Sequence, residues 1–120
     1  MIVIFFFEDQ EQGANGRPTF TQKPQVRMFE ESILIECRCT ADPVPSFNWT
    51  FDGKAINLGT KYKQGISSQA NNHTIFLEIG QITKKDSGIY KVTAKNNKGD
   101  GSANIELNID GIDFKFVFEF

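Results

Sequence analysis

The side chains that could do chemistry are few. His73 is the single histidine, so a nucleophile–base pair or a histidine-rich metal site would rest on it alone. It follows Asn71-Asn72 at the start of a strand-like run, and it reads as a solvated turn residue. Cys37 and Cys39 are the two cysteines. Their i, i+2 spacing in an alternating run turns both to one face, where a bridge between them would be strained. They read as buried free thiols that pack like small hydrophobes, and neither has a nearby base to make it a reactive thiolate. Glu30 and Glu31 are adjacent, so in a strand they face opposite ways, which does not suit paired acid–base work. The chain has no glycine-rich phosphate cradle, no HExxH and no G-x-S-x-G. One histidine and two cysteines also fall short of the soft ligands a structural zinc needs. The expectation is a protein that is not an enzyme and uses no metal or cofactor.

Two tripeptides, Asn48-Trp49-Thr50 and Asn72-His73-Thr74, spell glycosylation acceptors. They carry meaning only in a secreted chain, and such tripeptides also arise by chance. Asn48 is flanked by core-type residues, a poor seat for a sugar unless its outer face is free. Lys84-Lys85, and Lys61 and Lys63 around Tyr62, read as a solvated face. Residues 18–110 hold 11 basic and 10 acidic residues, so no basic stripe points to nucleic acid or anionic lipid. The whole chain has a formal charge of -2, which agrees. No apolar run approaches the ~20 residues of a membrane span. At 120 residues, 39% hydrophobic and 23% charged, the chain suits one soluble globular domain.

The elements that would position these residues read as strands. Ile33, Ile35, Cys37 and Cys39 alternate with Leu34, Glu36, Arg38 and Thr40, the pattern of a half-buried strand. Asp42-Pro43-Val44-Pro45 stops it. Phe47, Trp49 and Phe51 alternate up to a turn at Asp52-Gly53. Ile75, Leu77 and Ile79 form a third run. Tyr90, Val92 and Ala94 form a fourth after Asp86-Ser87-Gly88. Asn96 to Gly101 reads as a hairpin turn, and Ala103, Ile105, Leu107 and Ile109 close the series. No segment sustains a helical period. Short strands with regular turn signals predict a sandwich of two antiparallel sheets.

The ends differ from this body. Of 12 phenylalanines, 7 lie in the first 17 and last 10 residues. The division expected is an apolar start and flexible linker over 1–17, a domain over 18–110 and a β-prone tail over 111–120. The apolar run Met1 to Phe7 fits an extra strand or a fragment boundary. It lacks the positive flank of a secretory signal. Phe114, Phe116, Phe118 and Phe120 alternate as in a strand, which would either pair with the start or dock on the domain edge. Left unpaired, it is an aggregation hazard.

Residues 18–110 resemble an immunoglobulin domain of the intermediate, or I-set, type. Pro18-Thr19-Phe20-Thr21-Gln22-Lys23-Pro24 looks like its opening strand. Cys37 matches its strand-B cysteine, Pro43 and Pro45 its B–C turn, and Trp49 its core tryptophan. Leu77, Ile79 and Ile82 match its strand-E face, Asp86-Ser87-Gly88-Ile89-Tyr90 its tyrosine corner, and Asn96 with Gly99 its F–G hairpin. The resemblance implies an all-β, Greek-key sandwich with Cys37, Trp49, Leu77, Asp86, Gly88, Tyr90 and Val92 as structural residues. Val92 stands where the family often has a second cysteine, so the usual inter-sheet disulfide is not expected. Free thiols suit a reducing compartment.

Among such domains the phrases resemble those of the giant intracellular muscle proteins, namely twitchin, projectin, titin and myosin-binding protein C, with twitchin modules most alike. That resemblance implies a structural or interaction module serving as spacer, elastic link or docking surface. It implies a cytoplasmic, sarcomeric setting, neighbouring immunoglobulin or fibronectin-type modules, and filament partners such as myosin or actin. Phe29, Tyr62 and Phe76 are the outward-facing candidates for partner contact. The rival expectations are an extracellular adhesion or receptor domain and a module regulating an adjacent kinase.

Overall fold

The computed structural model describes residues 2–7, 16–109 and 117–119. Its strands, in chain order, are β1 (Ile2–Phe7), β2 (Thr19–Phe20), β3 (Gln25–Phe29), β4 (Ser32–Thr40), β5 (Ser46–Phe51), β6 (Lys54–Ala55), β7 (Tyr62–Gln69), β8 (Asn72–Ile79), β9 (Gly88–Asn96), β10 (Gly99–Asn108) and β11 (Val117–Glu119). One sheet has the order β11-β1-β10-β9-β5-β6; the other has β2-β4-β8-β7, with β3 also pairing with β4. All ladders are antiparallel except that of β1 with β11. The chain changes sheet between β1 and β2, between β4 and β5, between β6 and β7, and between β8 and β9. Neighbours in space are therefore often distant in sequence, the Greek-key arrangement of an immunoglobulin-like sandwich.

The period-2 pattern decides which faces meet. On β4, Ile33, Ile35, Cys37 and Cys39 are buried; on β8, Ile75, Leu77 and Ile79; on β9, Tyr90, Val92 and Ala94; on β10, Ala103, Ile105 and Leu107. Trp49 on β5 fills the space between the sheets from the middle of its strand, at 4% exposure. No disulfide joins the sheets, since both cysteines are free; the core closes by packing alone.

Two strands, β6 and β7, carry no clear alternation, while β3 does, with Val26 buried and Met28 half-buried between exposed Gln25, Arg27 and Phe29. β7 is exposed over most of its length and lies at the edge of its sheet, so its Tyr-Lys-Gln-Gly-Ile-Ser-Ser-Gln sequence has little burial to encode. β3 follows Pro24 and turns into β4 at Glu30-Glu31. β6 is the short return of the Asp52-Gly53 turn.

The start takes the strand alternative. β1 pairs with β10 over six residues, and Val3 is fully buried. The tail takes the alternative of pairing with the start, through β11. Residues 8–15 and 110–116, most of the expected linker and tail, lie outside the described residues.

Candidate functional site

The densest polar constellation lies where the chain passes from β8 to β9. Thr83 caps a short 3-10 turn, Lys84–Asp86, and its backbone N–H donates to Asp86 Oδ2 at 2.8 Å. Asp86 is buried, at 6% exposure. Lys61, just before β7, donates to Asp86 Oδ2 at 3.0 Å, to the Gly80 carbonyl at 2.7 Å and to the Gln81 carbonyl at 3.1 Å. An ammonium has three donors, so Lys61 is saturated here. The Tyr90 hydroxyl donates to the Asp86 carbonyl at 2.7 Å. Burial, with Tyr62, Asp86 and Asp52 nearby, raises the Tyr90 phenol far above its ordinary value near 10. The Tyr90 ring stacks on Phe51 with centroids 4.6 Å apart. Gly88 has φ +153, and an added Cβ would stand 2.5 Å from Phe51 Cε1. This corner fixes geometry and leaves no open reacting group.

Lys61 corrects the reading of that lysine as part of a solvated face. Nothing in its local sequence marks it, because its partners lie on the far side of β8. His73 is a second correction. It is 1% exposed, its Nδ1 lies 2.8 Å from Ser68 Oγ, and its Nε2 lies 3.1 Å from the Ala41 carbonyl. The reason is phase. β8 begins at Asn72, and His73 shares the inward face with Ile75, Leu77 and Ile79. Its polarity hid an alternation that its position obeys. Phe47 meets its ring edge-on at 6.5 Å. Both ring nitrogens are engaged inside the domain, so the geometry is that of a satisfied core histidine.

Cys37 and Cys39 point into the core at 1% exposure each. Desolvation drives the Cys37 thiol far above its ordinary value near 9, and it pushes Cys39 up to about 11. Thiols held protonated are poor nucleophiles. Among the described residues no three His, Cys, Asp or Glu side chains gather where a metal ion could sit.

The candidate contact residues are spread out. Phe29 is 53% exposed and borders an open hollow of about 480 Å³ with Glu30, Glu31, Ser32 and Gln81. Phe76 is half-buried on β8. Tyr62 is half-buried, packs on the core, and has its phenol raised by burial and by Asp86. The structure does not bring the three together into one patch. Asn48 and Asn72 are both exposed. At the opposite end, Asn96 Nδ2 donates to the Gly16 carbonyl at 2.9 Å and to the Pro43 carbonyl at 3.0 Å, tying the F–G turn to two loops. Two buried donors have no partner among the described residues, Trp49 Nε1 and Asn104 Nδ2. Asn104 had no signal in the sequence, since its place in the alternation is an outward one.

Sandwich, core tryptophan and tyrosine corner together define an immunoglobulin-like module. The immunoglobulin I-set domain profile matches residues 18–109, and the chain belongs to that family. It is 30% identical over 96 residues to titin of Drosophila melanogaster, covering 77% of this chain and, to the nearest percent, 0% of that protein. Its fold superposes on titin domain M7 with a TM-score of 0.67 at 31% identity, covering 83% of this chain and 100% of that one. It superposes on the twitchin kinase region of C. elegans with a TM-score of 0.63 at 28% identity, covering 78% of this chain and 16% of that one. The chain spans 15% or less of the first curated relatives it matches. No helix among the described residues is long and apolar enough to cross a membrane.

Proposed function

We propose that this chain is a non-catalytic structural and interaction module of a filament-associated muscle protein of the titin and twitchin kind. It serves as spacer, elastic link or docking surface between neighbouring immunoglobulin or fibronectin-type modules, in the cytoplasm of the sarcomere. Filament proteins such as myosin or actin are its expected partners, and Phe29, beside Glu30 and Glu31, is the most accessible of the candidate contacts. The observation that carries this reading is the disulfide-free core. Cys37 and Cys39 are buried and free, the state a reducing compartment maintains, in a domain whose relatives include titin and twitchin. The solved twitchin fragment joins an immunoglobulin domain to a kinase, so a module regulating an adjacent kinase is a variant of this reading.

A second reading is an extracellular adhesion domain. It is favoured by the exposure of Asn48 and Asn72, each at the head of a glycosylation tripeptide. The intact mass and thiol count of the endogenous protein, taken without reductant, separate the two. A very large, unglycosylated chain with both thiols free supports the filament module. A glycan on Asn48 or Asn72 refutes it and supports the adhesion domain.

A further inference from the structure

The I-set profile covers residues 18–109, yet β1 lies outside it and runs along the outer edge of β10. Its ladder is continuous from Ile2↔Asn108 to Phe7↔Ala103. Positions 3, 5 and 7 stand opposite Leu107, Ile105 and Ala103, three core residues. Val3 is fully buried while Ile4 is 38% exposed. So β1 sits on this edge as an added strand does. Backbone pairing holds it, and Val3 enters the core.

The fit is incomplete at one place. Asn104 lies on the outward face of β10, out of phase with Ala103, Ile105 and Leu107. It is nevertheless only 3% exposed, and its Nδ2 has no hydrogen-bond partner. In the register it stands between Lys91 of β9 and Phe6 of β1. Phenylalanine has no hydrogen-bond acceptor. A buried amide left without a partner is costly, and it is satisfied by any occupant that brings an acceptor to that register position.

We propose that the outer edge of β10 is a strand-accepting site, held by Ile2–Phe7 as an internal ligand, and that its preferred external ligand is an extended peptide segment of a partner protein. That segment has apolar residues opposite Leu107, Ile105 and Ala103, and an acceptor-bearing residue such as Thr, Asn or Gln opposite Asn104. Asn104 is then the specificity-determining residue of the edge, and β1 is the competitor that a partner must displace. This deepens the docking role proposed above and rests on it. A binding measurement at this edge can fail while the mass and thiol state of the endogenous protein still support the filament module.

The test uses the full 120-residue chain carrying Val3→Asp, which puts a carboxylate into the buried anchor position and loosens β1. Two lysine-flanked synthetic peptides are titrated by fluorescence anisotropy. One has the sequence Ile-Val-Ile-Phe-Phe-Phe and the other Ile-Val-Ile-Phe-Thr-Phe. The threonine peptide is expected to bind about tenfold tighter, the effect of pairing one buried amide. Asn104→Leu in the same chain should erase the difference, and the unaltered chain should bind both peptides more weakly. A second arm does not depend on the folding of Val3→Asp. Phe6→Thr in the otherwise unaltered chain should slow hydrogen exchange of the β10 amides about tenfold, and should not do so when Asn104→Leu is also present. Equal binding of the two peptides, or no change in β10 exchange on Phe6→Thr, overturns the assignment. So does a concentration-dependent dimer that exchanges Ile2–Phe7 and binds neither peptide, which would make a second copy the occupant.

Discussion

Replacing Gly88 by alanine tests the tyrosine corner at its tightest point. The new methyl would lie 2.5 Å from Phe51 Cε1 and 2.6 Å from each carboxylate oxygen of Asp52. Unstrained carbon contacts need about 3.5–4.0 Å, so something must retreat by about 1 Å. Phe51 is backed by the buried Tyr90 ring at 4.6 Å. Asp52 Oδ1 accepts from the Ile89 N–H at 2.8 Å, and the Asp52 N–H donates to the Ile89 carbonyl at 2.8 Å. Retreat therefore breaks either the ring stack or the bond that closes the corner. The backbone adds to this, because φ +153 is a region that residues with a Cβ avoid. Strain of about 1–3 kcal/mol and overpacking of about 1–3 kcal/mol together predict a loss of about 2–6 kcal/mol. Gly53 supplies the control. It too has positive φ, +83, but an added Cβ there meets nothing within 4 Å. Gly53→Ala should cost only the backbone share, about 1–2 kcal/mol. Urea unfolding followed by the fluorescence of Trp49, the sole tryptophan, measures both variants with one signal. If Gly88→Ala costs no more than Gly53→Ala, the contacts at Phe51 and Asp52 are not what constrains the corner, and the reasoning fails.

Three further outcomes are expected. Tyr90→Phe removes the donor to the buried Asp86 carbonyl and should destabilise by about 1–3 kcal/mol; a loss under 0.5 kcal/mol in the same urea assay would mean water replaces that bond. Lys61→Met leaves the Asp86 carboxylate without its cation. Since the Lys61 side chain is 37% exposed, the cost should be about 1–2 kcal/mol, reduced by solvent screening. A double-mutant cycle with Asp86→Asn should show coupling, and additive losses would argue against the pair. The thiols predict alkaline sensitivity. Their folded pKa values lie above the ordinary value near 9, Cys39 at about 11 and Cys37 higher. Above pH 9 the unfolded chain therefore releases protons that the folded chain retains, and stability falls as pH rises. At the limit the slope is about 1.4 kcal/mol per pH unit per thiol. Stability against pH from 7 to about 10, below the range in which the raised Tyr90 phenol adds its own slope, should flatten in a Cys37→Ala, Cys39→Ala variant, and an unchanged slope would assign the effect elsewhere.

The inner faces of β4, β8, β9 and β10 were legible because burial there follows strict alternation of large apolar residues. The same rule shows why other parts were not. His73 is in phase with Ile75 yet polar, so composition spoke against a position that periodicity would have assigned correctly. Lys61 draws its role from carbonyls at Gly80 and Gln81 and a carboxylate at Asp86, all about 20 residues away or more. No local window contains them. β7 is an edge strand with most side chains in water, so selection for burial left little pattern. Asn104 is outward by phase and buried in fact, with a strand from the far end of the chain paired beside it. In each case the missing information is a tertiary neighbour.

Because Cys37 and Cys39 are free and Val92 faces the core without a thiol, no covalent tie shortens the chain when the sandwich opens under load. The 92 residues from 18 to 109 can then extend to about 310 Å at ~3.4 Å per residue. A cross-link between positions 37 and 92 would withhold the 55 residues separating them, about 190 Å of that length. A module built this way yields its whole contour length in a single opening event, and refolds with no bond to re-form.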